Sequence, residues 1–265
     1  MAQNSFGIRF CRLIVFMSLA FVCSGSSLQA QLGLLSNRSQ APQAKSQVEL
    51  DLYLKIVTDT RSQSVLRDFN DFAAQFPKSD LLGFAYQYHM HAFEDLGEFE
   101  EMVEAGRKAL LANPDNINTL LTLAPAIANH ATDGKDSAKL LGQAEEYARR
   151  ILIAVNEIKP PRQIPLEQWE TTKRGMQSRA HEVLGVVAVD RNQPAIAADE
   201  FKTAIHLAPA PEGSQYFRLG IACASAGERA RAKEYFLQAV ELGPEPVRQL
   251  AQSEIRKLDE KSTAK

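Results

Sequence analysis

The sequence predicts an all-α chain, a solenoid of about five helix pairs closed by a C-terminal capping helix. Three observations carry this. First, a pattern recurs at fixed spacing near the C-terminal end. From Gly220, the residues Ala232, Phe236, Ala239 and Pro244 lie 12, 16, 19 and 24 positions on, and from Gly185 the residues Ala197, Phe201, Ala204 and Pro209 fall at the same four offsets. Second, each window holds two amphipathic stretches of about three turns, the layout of a helical hairpin. Third, the composition is that of a globular chain, with 265 residues, 45% hydrophobic and 23% charged, enough for one large or two small domains.

A glycine inside a helix costs about 1 kcal/mol relative to alanine, so a close approach must compensate for it. The pattern predicts that Gly220 faces Ala232 and Gly185 faces Ala197, with the rings of Phe236 and Phe201 filling the remaining space. The proline then ends each second helix. Read in full, one window runs Tyr216, Leu219, Gly220, Cys223, Ala232, Phe236, Ala239, Pro244, and the other His181, Leu184, Gly185, Ala188, Ala197, Phe201, Ala204, Pro209. These resemble the tetratricopeptide repeat (TPR) family, whose unit of about 34 residues reads W-x2-L-G-x2-Y, then A-x3-F, then P. The resemblance implies a right-handed TPR-like α-solenoid whose first helices line a concave groove for a partner peptide or helix.

In chain order, the N-terminus comes first. Arg9 and Arg12 stand without an acid before the 11-residue apolar run Leu13 to Cys23, and small and polar residues follow. This is the layout of a secretory signal peptide over residues 1–30, with cleavage after Ala30 or after Ser26. Eleven apolar residues are short for a membrane span, so no integral span is expected after cleavage. Loss of two positive charges takes the net charge from −2 to −4 and leaves Cys223 as the one cysteine, with no disulfide possible within the mature chain. The reading is therefore an exported bacterial protein, periplasmic or secreted. Residues 31–45 are polar and read as a disordered linker.

The repeat domain is placed at 46–260. Its copies are expected at about 46–79, 83–116, 117–158, 178–211 and 213–246, with a cap at 247–260. In the second copy Met102 and Gly106 stand where alanine and an aromatic are expected, so its packing must differ. Pro125 should kink or shorten the first helix of the third copy. That copy is stretched: the glycine-like positions Met90, Ala124, Gly185 and Gly220 are spaced 34, 61 and 35 residues apart. Apolar stripes on both sides of the proline-rich segment near Pro160 predict two lengthened helices over residues 140–180, a hairpin carrying Trp169 that projects from the stack. Val247, Leu250, Ala251, Ile255 and Leu258 form the stripe of the capping helix.

The near-neutral balance and scattered basic residues give no reason to expect nucleic-acid binding. No catalytic, cofactor-binding or metal-ligating set stands out. His89 and His91 lie about 200° apart on a helix and do not share an ion unaided. The pairs Glu100 with Glu101 and Glu145 with Glu146 read as solvated helix faces, and Cys223 as a buried inert thiol.

One constellation does stand out. Phe84, Tyr88, His91 and Asp95, spaced 4, 3 and 4 residues apart, make one stripe, while Tyr86, Met90 and Phe93 make another nearly opposite. The TPR resemblance places the first set on the concave groove, together with Arg179, Glu182, Phe217, Arg218 and Ile221 from the later copies. The competing reading packs Phe84 and Tyr88 onto the first helix pair. The expected function is a non-enzymatic protein–protein interaction scaffold of the bacterial cell envelope, with protein or peptide partners there. One alternative is a structural subunit docking through the 140–180 hairpin. The other is an enzyme or small-ligand binder using that hairpin as a lid.

Overall fold

The computed structural model describes residues 43–131, 136–161 and 164–263, so the expected signal segment, and most of the linker, lie outside the described residues. The described residues contain eleven helices and no strand. They are α1 (Gln47–Thr58), α2 (Ser62–Gln75), α3 (Leu82–Leu96), α4 (Phe99–Ala112), α5 (Ile117–His130), α6 (Ser137–Glu157), α7 (Leu166–Asp190), α8 (Pro194–Leu207), α9 (Gly213–Ser225), α10 (Arg229–Leu242) and α11 (Glu245–Thr263). This is the all-α, TPR-like class expected from the repeat pattern. Among the described residues, those up to Leu123 with 156–159 form one compact unit, and residues 124–155 with those from Pro160 onward form another.

In the N-terminal unit, α1 packs on α2, α2 on α3 and α3 on α4. Its core gathers Ile56, Val65, Phe69, Phe72, Leu81, Ala85 and Ala92. Gly106 shows how α4 packs without the family's aromatic: a Cβ there would lie 2.7 Å from the side chain of Leu123, so leucine from α5 fills the notch instead of a ring on α4.

In the C-terminal unit, α7 packs on α8, α8 on α9, α9 on α10 and α11 on both α9 and α10. Ala188, Ala197, Phe201, Phe217, Leu219, Cys223, Ala232, Phe236 and Ala239 form one core. Val247 and Ala251 of α11 are buried in it, with Leu250, Ile255 and Leu258 packed alongside, so the last helix closes the apolar face as its stripe predicts. The contact at the glycines is made by the phenylalanine rings, as the spacing predicts. A Cβ on Gly220 would lie 2.6 Å from Phe236, and one on Gly185 would lie 2.5 Å from Phe201. Each glycine thus opens a notch that the phenylalanine ring fills, and Ala197 and Ala232 are wholly buried in the same core.

The turn between the two helices of a pair is built alike in three pairs. Gly97, Asn192 and Gly227 each take a left-handed backbone, with φ of 75°, 57° and 86°. The next amide reaches back five residues, Glu98 to Phe93, Gln193 to Ala188 and Glu228 to Cys223, closing the helix end as a Schellman motif. Glycine meets no Cβ penalty in this region, and asparagine is among the few others that tolerate it.

Two local expectations need correcting. Of the kink or shortening expected at Pro125, the shortening is absent, since α5 runs 14 residues through it; burial of Leu120, Leu123, Ala124 and Ile127 offsets the hydrogen bond that proline cannot donate. The lengthened helices are present, as α6 with 21 residues and α7 with 25. The first half of α7 is not a free arm, however. Trp169 is 1% exposed, Met176 and Ala180 are buried, and Ser178 Oγ donates to the Ala204 carbonyl of α8 at 2.8 Å.

Candidate functional site

The first helix of each pair presents the stripe that the sequence places on the interaction face. In the N-terminal unit that helix is α3. Phe84 is buried, and Tyr88 is half-buried against the core shared by the first pair. Burial raises the Tyr88 phenol above its ordinary value, and it raises that of Tyr53 as well, with Tyr88 adding to the rise. His91 is half-buried, its Nδ1 3.0 Å from Glu94 Oε2. Asp95 is exposed and accepts a hydrogen bond of 3.0 Å from Ser62 Oγ. Phe84 is therefore covered and Tyr88 supports the first pair, and the His91–Asp95 end of the stripe is the part most open to a partner.

In the C-terminal unit the corresponding helices are α7 and α9. Arg218 on α9 lies 3.9 Å from Glu182 on α7, with 16% and 22% of their side chains exposed, so this ion pair bridges two first helices in a partly dehydrated setting. Ile221, one turn along α9, and Val186, one turn along α7, are half-buried beside the core. Arg179 is exposed on α7. Phe217 is 3% exposed, its ring centroid 5.6 Å from that of Phe236, and it belongs to the core instead of the binding face. Half-buried aliphatic side chains, a bridging ion pair and an exposed guanidinium together have the mixed chemistry found at peptide-binding faces.

Other singled-out residues have local partners. His181 Nδ1 lies 2.7 Å from Glu200 Oε2. Glu145 accepts from Arg149 and from Arg191, at 2.8 and 2.6 Å, and these two bonds hold its carboxyl below the usual range. Cys223 is buried, which pushes its thiol up and disfavours the reactive thiolate. Glu100 and Glu101 prove to be more than a solvated face, because they rim a groove floored by Tyr86, His89 and Phe93. The signal was present as the second stripe on α3, but a helix pair that also buries Met90 gave no reason to open it.

Residues 216–246 match the tetratricopeptide repeat family model. Among solved structures, one described as "MamA RS-1 ArsTM double mutant" has a TM-score of 0.55 at 15% identity, covering 76% of this chain and 96% of that one. A thermophilic TPR protein of Thermus thermophilus has a TM-score of 0.48 at 17% identity, covering 78% and 97%. A further MamA structure has a TM-score of 0.46 at 21% identity, covering 69% and 86%. No curated protein matches the chain in sequence. The repeat motif and the shared fold agree: residues 216–246 carry a tetratricopeptide repeat, and the described residues adopt a TPR-like all-α fold.

Proposed function

We propose that this protein is a non-enzymatic interaction scaffold of the bacterial cell envelope, holding a partner peptide or helix against the first helices of its repeats. The observation that carries the reading is the α7–α9 face. There the half-buried Glu182–Arg218 pair stands beside Ile221, with Arg179 exposed on α7. A partner carboxylate can pair with Arg179, while apolar side chains of the partner cover Ile221 and further desolvate the ion pair. The fold supports a binding role over a catalytic one, since TPR folds are typically non-catalytic scaffolds. Export rests on the charged, apolar and small-residue layout of residues 1–30. Among the described residues no helix is long and apolar enough to cross a membrane.

The test is affinity capture from bacterial envelope extracts, followed by hydrogen exchange of the full chain with the retained partner. Protection of α7 and α9 supports the proposal. Protection confined to the segment around Ile153 and Leu166, whose side chains are exposed, supports the rival reading of a subunit docking through that region. N-terminal sequencing of the exported protein should begin at Gln31 or Ser27; recovery of the soluble cytosolic chain starting at Met1 contradicts export.

A further inference from the structure

A second surface lies on the side of α3 away from Phe84 and Tyr88. It is an open groove of about 400 Å³ between α3 and α4. Tyr86, His89 and Phe93 give it an aromatic floor, and Glu100, Glu101 and Glu104 give it an acidic rim.

The floor is held from behind. Phe69 stacks on His89 with ring centroids 3.8 Å apart and planes 12° apart, and it meets Tyr86 at 4.8 Å. Phe93 approaches His89 at 4.6 Å, edge to face. The rings are thus fixed in place before any ligand arrives. Burial depresses the His89 pKa to about 4, so at neutral pH it adds a ring and no charge.

The groove already accommodates a cation. Lys108 Nζ lies 5.6 Å from the Tyr86 ring centroid and 3.4 Å from Glu104 Oε1. That single ammonium satisfies one carboxylate of three. Glu100 and Glu101 are exposed and have no cationic partner among the described residues. Negative charge in the first turn of α4 is favourable for the helix in itself, but that role needs no aromatic floor beneath it. Rings and uncompensated carboxylates together select for an organic cation and against an anion. A planar guanidinium uses both features at once, stacking on a ring face while its fork engages carboxylates, whereas an ammonium uses one at a time.

We propose that this groove docks an arginine side chain of a basic partner peptide, its guanidinium over the Phe93–His89 floor and paired with Glu100 and Glu101. The site lies within one helix pair and is independent of the α7–α9 face.

The test titrates the full chain against a fluorescently labelled, acetylated and amidated hexa-arginine peptide, read by anisotropy, with hexa-lysine and hexa-glutamate peptides as comparisons. Hexa-arginine should bind about fivefold tighter than hexa-lysine, and hexa-glutamate should not bind. The double change Glu100→Gln, Glu101→Gln should weaken hexa-arginine binding about tenfold with helix content intact, because both side chains are exposed. Phe93→Leu should abolish the preference for arginine over lysine. Lys108→Gln, which frees Glu104 and the Tyr86 face, should tighten binding. Equal binding of the arginine and lysine peptides, an unaffected double variant, or no saturable binding would each overturn the proposal. If Phe93→Leu fails to fold, the glutamate pair still decides the matter.

Discussion

Alanine at Gly220 is the sharpest probe of how the repeats pack. Its methyl would lie 2.6 Å from Cδ1 and Cε1 of Phe236 and 3.1 Å from Cζ, where carbon atoms prefer about 3.5–4 Å. The ring is wholly buried and has no room to swing clear. Helix propensity alone favours the alanine by about 1 kcal/mol, while overpacking costs about 1–3 kcal/mol. A shortfall near 1 Å against a stiff ring puts the cost in the upper part of that range, for a net loss of about 1–2 kcal/mol. Gly142, in the interior of α6, supplies the control, since a Cβ there meets nothing within 4 Å. Gly142→Ala keeps only the propensity gain and should stabilise by up to about 1 kcal/mol. At about 2–4 °C per kcal/mol for a chain of this size, the two variants should melt on opposite sides of the parent when followed by far-UV circular dichroism. If Gly220→Ala melts at or above the parent, the glycine–ring notch is wrong.

Ala232 is wholly buried, so Ala232→Phe should cost about 1–3 kcal/mol; unchanged thermal stability would count against the core that unites α9 and α10. Asn192 sits at a φ of 57°, and Asn192→Ala should cost about 1 kcal/mol or more while Asn192→Gly costs nothing comparable, as measured by urea unfolding. His89 has a pKa of about 4 when folded, lowered first by burial and then by Lys108, against about 6.5 unfolded. Between those values the unfolded chain binds more protons, so stability should fall as pH drops from about 6.5 to about 4 and level off below. His89→Phe should flatten that slope above about pH 5, where carboxylates contribute little; an imidazole titrating near its ordinary value by NMR would refute the assignment.

The C-terminal pairs were the most legible part of the chain, because their contact points are written in residue size: glycine, alanine and phenylalanine recur at one spacing. Spacing does not report azimuth, however. A rotation of part of a turn decides how closely the ring of Phe236 approaches Gly220, and that approach is tight. The turn residues were not read from the sequence, although Gly97, Asn192 and Gly227 each lie 7 positions beyond Met90, Gly185 and Gly220. The N-terminal half was less legible. Its first pair carries no such size pattern, so nothing in the spacing decided which of the two stripes on α3 would be covered. Both Phe84 and Tyr88 went largely to the core, and the groove opened at Tyr86, His89 and Phe93 instead. Gly106 marked an irregular contact in advance, but the ring substitute, Leu123, comes from the following helix, where a repeat-by-repeat alignment does not look. Glu182 and Arg218 each read as binding-face residues, yet 36 positions separate them, and only the packing of α7 beside α9 makes them a pair.

The most direct measurement of the central claim compares two multiple variants in the capture assay. The first is Arg179→Ala, Glu182→Gln, Arg218→Met, which removes both ends of the ion pair together and so leaves no orphaned charge. The second is Phe84→Ala, Tyr88→Ala. The account predicts that the first melts near the parent and loses the partner, because the α7–α9 face is the binding surface. It predicts that the second melts well below the parent, because Phe84 is buried and Tyr88 packs against the core of the first helix pair. Full capture by the folded first variant would contradict the account.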